Sequence, residues 1–208
     1  MKKHKLPILL LCCVMLLSLC ACSSKSDLPL FGQTEGSTYY NERFGIRCTL
    51  DDGWYIYSEE EKAEVAGNTN SLLTDAELED LVTSGETTVY EFFAQKENAT
   101  LNIVLAAEKN ISLNFLTEEK LIEGMLPQLE EAYLAVGFED LNIEQSTTQF
   151  LGKEHPCILT TCSLNGVPMQ QRQVIVLSGS YYICITASTY YENTTDEILS
   201  CFTPFSVE

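Results

Sequence analysis

The stretch "CSLNGVPMQ" constrains the fold more than any other in this chain, because Asn165-Gly166 is the dipeptide that suits the two left-handed positions of a type I′ hairpin. A turn there sets Leu164 opposite Val167, and hence Cys162 opposite Met169 and Cys157 opposite Val174. "LSGSYY" offers a second tight turn at Gly179-Ser180, which places Cys184 opposite Ile175. With a side-chain period of two, one face of this three-strand ribbon carries Cys157, Leu159, Val174, Val176, Ile183 and Ile185. The other carries Ile158, Cys162, Leu164, Val167, Met169, Ile175, Leu177 and Cys184. Both faces are apolar, so both need cover, and flanking helices are the expected cover.

The chain offers such helices. Thr74 and Glu77 in "TDAE" form a capping-box pattern, followed by Leu78, Leu81 and Val82 at helical spacing. Thr117 opens a longer helix, in which Leu121, Ile122, Met125, Leu129, Ala132, Tyr133 and Val136 make an apolar stripe ending at Gly137. Pro127 lies inside it and is expected to bend or split the helix. Thr194 and Glu197 in "TTDE" suggest a last capped helix, and "SEEEKAEV" from Ser58 a weaker one. Residues 44–50 and 54–57 read as strands of a hairpin around Asp51-Asp52-Gly53. Residues 89–95 and 100–107 read as another antiparallel pair, and residues 141–150 lead into the ribbon. The expected class is therefore α+β, an antiparallel sheet covered by helices on both faces.

Three segments carry a resemblance. "YYNERFGIRCTLDDGWYIYSEEE", "HPCILTTCSLNGVPMQQRQVIVLSGSYYICITAS" and "TTDEILSCF" together resemble the small Firmicute lipoproteins of the PsbP-like superfamily. The likeness spans most of residues 39–206 and its motifs are structural: an aromatic strand before a Gly-Trp turn, a hairpin and a C-terminal helix. Many relatives have Pro ahead of the Asp-Gly-Trp turn, where this chain has Asp51. The resemblance implies an α/β/α sandwich with adaptor or assembly roles and transfers no binding residue.

The N-terminus decides location. "MKKHKLP" supplies three lysines, and an apolar run follows from Ile8 to Leu19. Twelve residues make a helix of roughly 18 Å, short of a roughly 30 Å hydrocarbon core, so a cleaved signal fits better than a membrane span. "LCAC" resembles the lipobox of bacterial lipoproteins, with small Ala21 before the cut and Cys22 as the first mature residue. Cys20 fits worse, since bulky Leu19 precedes it. In that family the Cys22 thiol becomes a thioether to diacylglycerol, and two acyl chains give stable anchoring to the bilayer. Residues 1–21 are thus expected to be a signal peptide, 22–38 the lipidated cysteine with a flexible Ser/Gly-rich tether, and 39–208 one domain.

Charge and chemistry narrow the function. Of twelve Lys and Arg the signal takes three, leaving nine against thirty Asp and Glu, a mature net charge of −21. Nucleic acid meets no basic stripe here, whereas a cationic partner is admitted. The later cysteines, Cys48, Cys157, Cys162, Cys184 and Cys201, contain no C-x-x-C pair, and none faces another within the ribbon. Buried free thiols are therefore expected. His155 lies two residues before Cys157, so a Cys–His pair on one strand face is the one catalytic option. No metal-ligand spacing, phosphate loop or nucleophile elbow occurs, and no cofactor is implied. Asn98, Asn110 and Asn193 match N-x-S/T, which signifies little in a bacterial lipoprotein. Aromatics including Trp54, Tyr55, Tyr57, Tyr90, Phe93 and Tyr190 cluster at strands and strand ends, mostly as packing, with a remainder available to line a groove. The expected function is a membrane-anchored, extracytoplasmic, non-catalytic binding or assembly module whose protein partner is unknown. The alternatives are an envelope enzyme using Cys157 and His155, or a small-ligand carrier.

Overall fold

The computed structural model describes residues 28–67, 73–108 and 117–206. The signal segment, Cys22 and Asn110 lie outside the described residues. A four-stranded antiparallel sheet is made of β1 (Gln33–Glu35), β2 (Thr38–Asn41), β3 (Ile46–Thr49) and, from the far end of the chain, β11 (Phe202–Pro204). A seven-stranded antiparallel sheet has the order β4 (Tyr55–Ile56), β5 (Val89–Lys96), β6 (Ala99–Ala107), β10 (Tyr181–Tyr190), β9 (Val167–Ser178), β8 (Lys153–Leu164) and β7 (Glu139–Phe150). The helices among the described residues are α1 (Glu59–Ala66), α2 (Asp75–Thr83), α3 (Glu118–Ala135) and α4 (Thr195–Leu199).

The ribbon forms in the register that its turns dictate. Leu164 pairs with Val167, Cys162 with Met169, Cys157 with Val174 and Cys184 with Ile175. Asn165 and Gly166 both sit at positive φ, 53° and 78°, as a type I′ turn requires. A Cβ on Gly166 would meet nothing within 4 Å, so the cost of a larger residue there is the backbone's own. Gly166→Val, which forces a β-branched residue into the left-handed region, is expected to lower stability by about 1 kcal/mol or more. A denaturant midpoint equal to the parent's would refute the turn.

The two faces of the ribbon separate as expected, but their cover does not. Ile158 and Ile175, with Leu177 and Cys184 beside them, pack against Leu121, Ile122, Met125 and Leu129 of α3. Cys157, Val174, Ile183 and Ile185 instead join Tyr39, Ile46, Cys48 and Phe202 of the small sheet, with Val82 of α2 and Leu199 of α4 at its margin. The helix-covered α/β/α sandwich is therefore overturned: the fold is mostly antiparallel β, one sheet face lying under a helix and the other against a second sheet. Physically, β3 reads "IRCT" with alternating inward and outward residues, so it presents one apolar stripe just as a helix would.

Asp51-Asp52-Gly53 is not a hairpin turn. It passes the chain from β3 in the small sheet to β4 in the large one, with Gly53 at φ 98°. The segment placed in the tether is also corrected, because within residues 22–38 the described part, 28–38, belongs to the fold. Leu30 is buried in the core, Phe31 packs on it, and β1 pairs with β2. Leu-Pro-Leu-Phe at 28–31 supplies that apolar contact inside an otherwise polar composition.

Local signals fare unevenly. The Ser58–Glu61 and Thr74–Glu77 capping boxes both form. Thr194 makes no side-chain cap on α4; Asn193 Oδ1 takes that role, accepting from the Thr195 N–H at 3.3 Å and its hydroxyl at 2.8 Å. Helix α3 runs through Pro127 as one element. The proline sits on the exposed side, and the carbonyl that loses its donor, four residues earlier at Glu123, is also on an exposed residue that water can reach.

Candidate functional site

Trp54 follows the sheet-to-sheet crossover and lines a cleft of about 510 Å³ between the end of β3, the β5–β6 turn and α4. Leu50 and Ile198 give it an apolar floor, while Asp51, Lys96 and Glu197 stand at its polar rim. Lys96 Nζ lies 3.5 Å from Asp51 Oδ1 and 5.9 Å from the centre of the Trp54 ring. An aromatic ring beside a cation and an excess of carboxylates can hold a neutral polar or cationic group by stacking and charge. Cys201 also lines this cleft.

A second cavity, of about 580 Å³, opens where the described chain starts, lined by Leu28, Glu42, Phe44, Glu118, Lys153 and His155. His155 is buried against the edge of Phe150, their ring centres 5.6 Å apart, and its Nε2 lies 3.3 Å from Glu118 Oε2 at the start of α3. Burial raises the Glu118 carboxyl above its ordinary range, against the opposing pull of His155. The other ring nitrogen of His155, Nδ1, is 3.3 Å from the Pro156 carbonyl.

That arrangement bears on the Cys157–His155 pair. Both residues are buried on β8, but His155 turns its ring nitrogens to Glu118 and to the Pro156 carbonyl. The charges that act on Cys157 are Arg172 and Asp196, which form their own ion pair at 2.7 Å. Burial pushes the Cys157 thiol up to about 11, the opposite of what a thiolate nucleophile needs. Cys184 is likewise raised to about 11 by burial. All five described cysteines are free thiols.

The structure also holds a buried acid that sequence reading missed. Glu91, inside the apolar run of β5, accepts through Oε2 from the Tyr39 hydroxyl and from Asn41 Nδ2, the latter at 3.2 Å. Its backbone carbonyl accepts from Lys62 Nζ at 2.8 Å, and Lys62 in turn pairs with Glu59 at 2.7 Å. Oε1 has no protein partner. Burial pushes Glu91 up to about 7, opposed by the hydrogen bonds from Tyr39 and Asn41, by the nearby Gly32 backbone and by the positive charge of Lys62. Asn41 also donates to the Leu30 carbonyl at 3.0 Å, so one network locks the entering chain to both sheets. Gly32 is needed there, because a Cβ would collide with the Tyr39 ring.

The aromatics form one continuous row on the large sheet. Tyr55, Tyr57, Phe93 and Tyr90 follow one another with ring centres 5.4, 4.6 and 6.4 Å apart. Register puts Tyr90 opposite Val104, itself opposite Cys184, so the row shares the sheet face that α3 covers further along. Among the described residues no group of three or more His, Cys, Asp or Glu could hold a metal ion, and no helix is long and apolar enough to cross a membrane.

No protein-family model matches this chain, so the PsbP-like resemblance has no support of that kind. No curated protein sequence matches it. Among solved structures, the chain is similar to LpqN of Mycobacterium tuberculosis, described as involved in cell envelope biogenesis. The identity is 12%, the TM-score 0.42, and the match covers 76% of this chain and 82% of that one. A likeness of that strength decides neither family nor activity.

Proposed function

We propose that this chain is an extracytoplasmic lipoprotein, held to the cell membrane by a diacylglyceryl group on Cys22, whose domain is a non-catalytic binding or assembly module. The observation that carries this reading is the N-terminal pattern: three lysines, an apolar run too short to span a bilayer, and Leu19-Cys20-Ala21-Cys22. The described fold begins at Leu28, six positions beyond Cys22, and six extended residues reach at most about 20 Å. The end of the domain that carries Leu28, Glu42 and Lys153 therefore faces the bilayer. His155 turned toward Glu118 and a Cys157 thiol that burial keeps protonated support the non-catalytic reading over the enzyme one, and the acidity of the Trp54 cleft favours a cationic or neutral partner over nucleic acid.

Protease added to intact cells stripped of their wall tests the placement. The full-length protein should be degraded without lysis, and Cys22→Ser should leave the membrane fraction. Protection of the parent until the cells are lysed would put the domain on the wrong side and end the proposal.

A further inference from the structure

The geometry points to a disulfide modification site at Cys48 and Cys201, formed by exchange with an external disulfide. The two sulfurs lie 2.7 Å apart although the residues are 153 positions apart in sequence. That distance is nearer to the roughly 2.05 Å of a disulfide bond than to the roughly 3.5–4.0 Å at which unbonded carbon atoms rest, and sulfur is larger than carbon. The approach is built by the backbone. Cys48 on β3 sits directly opposite Phe202 on β11, and the Thr49 N–H donates to the Cys201 carbonyl at 3.4 Å. The remaining described cysteines, Cys157, Cys162 and Cys184, face Val174, Met169 and Ile175 across the ribbon, so none of them faces a second thiol there.

Access is asymmetric. Cys48 is fully buried, and its thiol is held protonated by the neighbouring Cys201 sulfur and by burial. Cys201 is only partly buried and lines the Trp54 cleft, where a small disulfide can enter. The Cys201 thiolate attacks one sulfur of R–S–S–R, and R–S⁻ departs. Cys48 then gives up its proton and attacks Cys201 Sγ, expelling the second R–S⁻. Two cysteine thiols are oxidised, one external disulfide is reduced to two R–SH, and the two cysteine protons end on the departing thiols. The product ties the small sheet's β3 to the strand that closes the chain, and a cross-link over so long a loop stabilises chiefly by restricting the unfolded chain. This inference does not depend on the anchoring at Cys22.

The full-length protein, extracted in detergent and incubated with oxidised glutathione, is then denatured in a maleimide without reductant, digested and weighed. A linked pair of peptides containing Cys48 and Cys201 is expected. It should disappear on reduction, while Cys157, Cys162 and Cys184 carry maleimide in both samples. In Cys48→Ser the resolving thiol is gone, so Cys201 should retain glutathione. The oxidised parent should also unfold at a higher midpoint than the reduced parent, with no such shift in Cys201→Ser. Recovery of both Cys48 and Cys201 as maleimide adducts after glutathione treatment, or linkage of either to another cysteine, overturns the proposal. The parent's linked peptide decides the matter even where a serine variant fails to fold.

Discussion

Between pH 5 and pH 8 the parent protein is expected to lose on the order of 3 kcal/mol of stability relative to Glu91→Gln. The sign follows from the direction of the shift. Glu91 titrates at about 7 in the fold against an ordinary value of 4.5, so between those values the folded state keeps a proton that the unfolded state has released. Folding stability therefore falls as pH rises through that window, by about 1.4 kcal/mol for each unit of displacement. Glutamine keeps an acceptor for the Tyr39 hydroxyl and Asn41 Nδ2 but cannot ionise. The many exposed carboxylates titrate alike in both proteins and cancel in the difference. Denaturant midpoints of the two, converted to free energies at pH 5 and pH 8, check this. A parent–variant difference that does not change with pH would show that Glu91 is ionised in the fold at no cost.

The second large effect lies on the seam between α3 and the sheet. Ile122 is fully buried against Leu121, Ile158 and Ile175, and Ile122→Ala should cost about 2–5 kcal/mol through lost burial and the cavity it leaves. Val136→Ala, at the end of the same sequence stripe, should change stability by no more than about 0.5 kcal/mol, since Val136 is 65% exposed. Unfolding curves separate the two. Equal costs would mean that α3 packs along its whole apolar stripe, or that it does not pack as described.

These positions mark how far local pattern reaches. The ribbon was legible because Asn165-Gly166 imposes a register that a period-two pattern then carries through three long strands. The start of α3 was legible from Thr117 and its stripe, but the same stripe overran the contact by a turn, because Ala132 and Val136 match helical spacing without meeting the sheet. The small sheet was not legible. It is assembled from three- and four-residue strands at the two ends of the described chain, and β3 pairs with β11 over a separation that no local signal encodes. Asp51-Asp52-Gly53 has the composition of a hairpin turn whether the chain reverses or changes sheet. With one cover of the ribbon hidden in this way, helices were the remaining choice.

The candidate site divides along the same line. Trp54 was visible as an aromatic at a turn, and Cys157 with His155 as residues on one strand face. Which neighbours they keep, Lys96 and Asp51 for the first and Arg172, Asp196 and Glu118 for the others, depends on elements far away in sequence. Glu91 gave no signal, since an acid within "VYEFFAQ" reads as the exposed residue of a half-buried strand. Its burial follows from the small sheet, which brings Tyr39 and Asn41 over it. The closeness of Cys48 and Cys201 has the same origin.

The mass of the N-terminal peptide of the mature protein, taken from detergent-extracted membranes, tests the central claim most directly. The account predicts a chain that begins at Cys22 and carries a thioether-linked diacylglyceryl group, absent from Cys22→Ser. A mature chain that begins elsewhere, or that carries an unmodified Cys22 or its lipid on Cys20, would contradict it.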